Sequence, residues 1–137
     1  MPLPVPNGGM KPHTRALIAA ATFAGLSHQK VAGLYDHAVG KDLRIAAEVK
    51  DGVLQGFDGD RNTAFGGRLP EIHDKGDNAF ITFEAEGTVA KGYDRGSDTH
   101  YEAHLTQGIV QVYDHAQSAW FAYDIQDSDA AQSYHRD

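Results

Sequence analysis

Three side chains within one short stretch could hold a metal ion: His100, Glu102 and His104. Residues two apart on a β-strand share a face, so His100-x-Glu102-x-His104 would present two imidazoles and a carboxylate side by side, donors that zinc accepts. No fourth ligand follows from the sequence, and polar residues are expected on any solvated strand face. A second set of acidic groups recurs along the chain. Asp36, Asp58, Asp94 and Asp114 each follow an aromatic residue (Tyr35, Phe57, Tyr93 and Tyr113), and His37 and His115 follow two of the aspartates. Gathered on one rim, these carboxylates would form a cation-attracting mouth, and histidines beside them would be biased toward protonation, a weak pH response. Asp58-x-Asp60-x-Asn62 opens like a calcium loop, but Thr63 stands where that loop needs glycine and Leu69 where it needs glutamate, so a polar turn is the simpler reading.

Catalytic signals are weak. Ser27 beside His28, and Ser97 near His100, lack the Gly-x-Ser-x-Gly setting of a nucleophile elbow. There is no glycine-rich phosphate loop opening a helix and no cysteine nucleophile. The sequence therefore nominates no catalytic residue and no cofactor. Trp120, the single tryptophan, alternates with Phe121; if Phe121 faces a core, Trp120 points outward, either as an interface anchor or beneath a docked helix.

These residues sit on a repeat. Four residues before each aromatic lies a β-branched residue (Val31, Val53, Val89 and Ile109), and seven after each Asp lies an apolar return: Leu43, Phe65, Tyr101 and Phe121. A strand, an Asp-headed turn and a returning strand account for this pattern, since Asp accepts backbone N–H bonds at the head of a turn. Alternation is clean on the returns, where Leu43, Ile45 and Ala47 share a face, as do Tyr101, Ala103 and Leu105, and Phe121, Tyr123 and Ile125. Short turns at Asp51-Gly52, Glu86-Gly87 and Gln107-Gly108 join the units. Long and short turns then fall at opposite ends, so the Asp-led loops share one rim. Residues 66–79 break the rhythm with Pro70 and a degenerate copy, His73-Asp74…Phe80. The fold expected is mainly β: an antiparallel meander of about 8–10 short strands, barrel-like or strongly curled, with one N-terminal helix packed on it.

Leu34-Tyr35-Asp36-His37 and Val112-Tyr113-Asp114-His115 carry a resemblance, over roughly residues 29–125, to small uncharacterised bacterial proteins with recurrent Tyr-Asp hairpins. The resemblance implies a β-meander; no activity and no site residue come with it.

Length and charge narrow the classes. The chain has 137 residues, enough for one domain with its own core. Pro2, Pro4 and Pro6 mark residues 1–12 as an extended arm, Thr14 caps a helix over about 14–25 that Gly25 stops, a single β-repeat domain with that helix spans 13–125, and 126–137 form a polar tail. The net charge of −7, with 12 scattered Lys and Arg, excludes a nucleic-acid surface on electrostatic grounds. No apolar run approaches the ~20 residues of a membrane span. The basic residues 11–15 followed by apolar 16–26 imitate a secretory leader, but the apolar part is poor in leucine and lacks a small-x-small cleavage site. A cytoplasmic or assembly-bound location is favoured, with secretion the alternative. The function expected is a non-enzymatic structural or protein-interaction protein, a subunit of a larger assembly or a partner of another protein. The alternative is a small-ligand or metal-binding β-barrel using the Asp/His rim.

Overall fold

The computed structural model describes residues 9–127; most of the arm and tail expected from the sequence lies outside them. Helix α1 (Pro12–Ser27) is followed by β1 (Val31–Asp36), β2 (Lys41–Lys50), β3 (Val53–Asp58), β4 (Thr63–Arg68), β5 (Glu71–Asp74), β6 (Ala79–Thr82), β7 (Glu84–Glu86), β8 (Val89–Asp94), β9 (Thr99–Thr106), β10 (Ile109–Asp114) and β11 (Ala119–Asp127). All pairings are antiparallel and run in the order β6-β5-β4-β3-β2-β1-β11-β10-β9-β8-β7. The first and last strands pair through Leu34↔Ile125 and Asp36↔Tyr123, and β6 meets β8 at Ile81↔Asp94. The meander is therefore closed, a 10-strand barrel in which β6 and β7 are two parts of one wall strand interrupted at Phe83. At that seam the Tyr93 N–H donates to Thr82 Oγ1 (2.9 Å) and the Tyr101 hydroxyl donates to the Thr82 carbonyl (2.8 Å).

The helix does not lie on the sheet, as expected, but runs through the barrel. Leu17, Ala20, Ala21 and Ala24 form one apolar stripe, yet Ile18, Ala19, Thr22 and Phe23 on the other sides are buried as well. A helix apolar all round has no face for solvent, and the lumen is the one place that covers every side. Alanine keeps it slim enough for its surroundings. Thr22, the polar intruder, donates to the Ile18 carbonyl within its own helix (2.7 Å). The helix also exceeds its expected bounds. Pro12 takes the first helical position, where its missing N–H costs nothing, so Thr14 lies inside the first turn and is no cap. Gly25 does not stop it; a Cβ there would press on the Phe83 ring at 3.3 Å. The helix ends instead at His28, left-handed at φ 62°, whose N–H returns to the Ala24 carbonyl (3.0 Å).

The strand alternation reads as expected except in β1. There Gly33, at φ 130°, marks a bulge that slips the register between Ala32 and Leu34, so Val31 and Leu34 both turn inward while Ala32 is exposed. Val31 therefore leaves the outer face that Tyr35 holds. Just inside the Asp-bearing rim, one cross-strand pair per hairpin forms a layer: Leu34↔Leu43, Gly56↔Phe65, Ile72↔Ile81, Gly92↔Tyr101 and Val112↔Phe121. Two of the rings sit opposite glycine, and a Cβ on Gly56 would collide with Phe65. Leu34↔Leu43 and Ile72↔Ile81 set aliphatic against aliphatic, and Val112 faces the Phe121 ring.

Candidate functional site

The rim is built from five hairpin loops, not four. The copy at His73-Asp74 is complete, its return being Ile81 rather than Phe80, which is exposed and stacks on His73 at 4.5 Å. In every copy Oδ1 of the leading Asp accepts the N–H two residues on: Asp36 from Ala38 (2.9 Å), Asp58 from Asp60 (3.1 Å), Asp74 from Gly76 (3.0 Å), Asp94 from Gly96 (3.0 Å) and Asp114 from Ala116 (2.9 Å). Four residues after each Asp the backbone turns left-handed, at Gly40, Asn62, Asn78, Asp98 and Ser118. Glycine, asparagine and aspartate tolerate that conformation best, so this position is constrained although it looks variable in sequence.

The five carboxylates are buried, because Asp shares strand parity with the inward residue two before it, such as Leu34 or Val112. They therefore gather about the N-terminal end of α1, whose first turn holds no acidic residue and no side-chain cap. The helix macrodipole favours negative charge at that end. Asp114 makes the closest tie: its Oδ2 accepts the Met10 N–H (2.9 Å) and lies 4.0 Å from Arg15 Nη1. Arg15 in turn donates to the Met10 carbonyl (2.8 Å) and sits over the Phe121 ring at 3.7 Å. Its Nε and the neighbouring Tyr123 hydroxyl are buried and meet no hydrogen-bond partner among the described residues. Burial first, and then the Asp36 charge, push the Tyr123 phenol well above its usual range.

On the opposite side Arg61 bridges two loops, reaching Asp74 (3.0 and 3.2 Å) and Asp77 (3.8 Å) in the loop after β5 and Asp58 (3.4 Å) in its own. Asp77 also takes His13 at 2.7 Å and Lys11 at 3.4 Å. Partial burial opposes the Asp77 anion, but its bond to His13, the His13 charge, Lys11 and Arg61 together hold its pKa below the usual value. Desolvation likewise works against the Arg61 cation, and Asp74, Asp58 and Asp77 outweigh it, raising its pKa. His13, Asp74 and Asp77 bring ligand atoms within 4.8 Å of one another, a spacing a metal could use. Arg61 already neutralises both carboxylates, so a metal would have to displace it.

The stretch Asp58–Asn62 is an ion-paired turn. Asp60 accepts both the Arg44 N–H (3.0 Å) and Arg44 Nε (3.0 Å), and the backbone bond foremost keeps its pKa low against partial desolvation. His100, Glu102 and His104 do share the outer wall of β9, but each imidazole packs on a ring: His100 on Tyr93 (4.7 Å) and His104 edge-on to Trp120 (5.1 Å). Glu102 pairs with His104 (3.2 Å) and faces His115 (4.0 Å). His37 and His115 sit edge-on to Tyr35 and Tyr113, and His37 pairs with Asp124 (3.3 Å), so each has its own partners. Trp120 points outward, 49% exposed, against Tyr113 at 4.9 Å and away from the helix in the lumen.

Sequence reasoning located the rim but missed Arg15, Arg61, His13 and Asp77, whose roles appear only once the helix is inside the barrel. The available signal was the parity of the aspartates, which places them on the core face. No family model, no curated protein and no solved structure matches the chain. Among the described residues, no helix is long and apolar enough to cross a membrane.

Proposed function

We propose that the protein is a non-enzymatic interaction module, a subunit that binds another protein surface through the outer wall of β8 to β11. The observation that carries this reading is Trp120, half-exposed at the centre of a strip formed with Tyr113, His104 and Glu102. Tryptophan and tyrosine bury large area at little entropic cost, which is why they anchor interfaces. Two features of the interior agree with it. The helix occupies the lumen in which barrels hold ligands, and most rim charges are spent on one another. Closure of the sheet argues against assembly by strand addition, which needs a free edge, and leaves side-chain docking on the wall.

Sedimentation velocity over a wide concentration range tests this with the wild type and Trp120→Ala. Concentration-dependent association that the substitution weakens supports the module. A chain that stays monomeric throughout, with its Trp120 emission unchanged by concentration, sinks the assembly-subunit version.

A further inference from the structure

The five returns of the inner layer differ in size and in burial. Three returns carry a ring, Phe65, Tyr101 and Phe121, but the first carries Leu43. Ile81, the other aliphatic return, is fully buried, whereas Leu43 is only partly so. Beside Leu43 a cavity of about 340 Å³ opens between the start of α1 and the loops after β1 and β3. That volume lies at the small end of the range for small-molecule sites. Ala16, Leu43 and Ile45 supply apolar walls, and Val39 forms an exposed lip.

The polar lining is equally specific. Asp58, Asp74, Asp94 and Asp114 have donors on both carboxylate oxygens. Asp36 lines this cavity, is 3% exposed, and has a donor on Oδ1 alone, the Ala38 N–H. Its Oδ2 is the one oxygen of the five rim pairs with no hydrogen bond among the described residues. The other charged groups of the lining are engaged or peripheral: Arg61 holds Asp58, Asp60 holds Arg44, His13 holds Asp77, and Lys41 is exposed. A buried carboxylate with an open acceptor, beside apolar walls, suits a charged N–H donor on a hydrocarbon body. A divalent metal would need several open oxygens, and of the lining carboxylates Asp58 and Asp60 are already tied to Arg61 and Arg44.

We propose that this cavity is a binding site for a small aliphatic primary amine, its ammonium on Asp36 Oδ2 and its chain against Ala16, Leu43 and Ile45. The test is a ¹H–¹⁵N NMR titration of the whole chain with n-butylammonium, using butan-1-ol and butyrate at matched ionic strength as controls. Saturable shifts at Val39, Lys41 and Leu43 are expected with the amine. Asp36→Asn keeps the acceptor for the Ala38 N–H and should weaken binding about tenfold or more, the share of one charge-assisted hydrogen bond. Leu43→Phe introduces the ring found in three of the other hairpins and should abolish binding while leaving distant amides unmoved. If Asp36→Asn fails to fold, Leu43→Phe decides alone. Equal binding by butanol or butyrate, absence of saturation, or binding that survives Leu43→Phe overturns the proposal.

Discussion

The two rims of the barrel are made from the same strands and behave as different materials. At one end, two-residue turns such as Asp51-Gly52 and Gln107-Gly108 close hairpins with both residues left-handed, and among the described residues nothing charged is buried there. These are turns whose twist matches the strands, and backbone geometry alone holds them. At the other end, longer loops turn five carboxylates inward, of which Asp114 meets Met10 and Arg15 at the helix start while Asp58 and Asp74 meet Arg61. The first rim connects neighbours in sequence. The second ties hairpins to the helix and to each other, and so sets where the helix sits along the barrel. A barrel can be closed by its pleat, but a core helix needs directional contacts to fix its depth.

Removing one of those contacts should produce the largest loss. Asp114→Ala leaves the Met10, Ala116 and Gln117 N–H groups without their acceptor and Arg15 without its countercharge. A cost of about 3–5 kcal/mol in urea unfolding is expected from breaking a buried pair. On the opposite rim Asp51→Ala trades one left-handed non-glycine for a less tolerant one and should cost about 1 kcal/mol. Comparable losses at the two rims would dissolve the distinction between them.

Arg61→Met comes next, with about 2 kcal/mol expected, below the fully buried value because the site is partly solvated. This change also has a pH signature. Asp77 and Asp60 have lowered pKa values in the folded state, so their contribution is present above the ordinary carboxylate value of about 4 and is lost as pH falls through the folded value. Wild-type stability should therefore drop on acidification below about pH 4. Arg61→Met should drop less steeply, because Arg61 is one of the charges that depress Asp77. Parallel pH profiles for the two proteins would show that Arg61 does not bind the rim together.

The strands, their alternation, the antiparallel meander and the common rim were legible because they depend on local period and turn chemistry. The place of the helix was legible too, in hindsight: Ile18, Ala19 and Phe23 make every side of it apolar, which a helix on a surface does not need. Closure and the Arg61 bridge were not. They depend on which distant strands meet, and no short-range pattern encodes the pairing of Ile81 with Asp94 or the reach of Arg61 to Asp74. The outward metal triad failed to gather for a plain reason. Sharing a strand face sets neighbours, but the rings of Tyr93 and Trp120 claim the imidazoles first.

Glycines separate the rims in a third way. Gly56 has ordinary extended backbone and is needed for room, since its Cβ would meet Phe65. Gly108 has open space around it and is needed for its φ of 84°. Alanine at Gly56 should cost about 1–3 kcal/mol by overpacking, and Phe65→Leu in the same chain should recover much of it. Alanine at Gly108 should cost about 1–2 kcal/mol, with no rescue from any neighbouring truncation. A double-mutant cycle with Phe65 measures the difference, and zero coupling to Gly56 would remove the packing account of the inner layer.

The smallest effects should be the ones the rims share. Ser118, in an Asp-led loop, and Gln107, in a short turn, are both left-handed without being glycine, asparagine or aspartate. Both are exposed, so replacing them changes little but backbone strain. Ser118→Gly and Gln107→Asn should each stabilise by a few tenths of a kcal/mol, up to about 1. Similar gains are expected because handedness is a local matter at both ends, whereas buried charge is present at only one. If Ser118→Gly instead destabilised the protein, the Asp-led loop would depend on that side chain, and its carboxylate could no longer be regarded as what organises the turn.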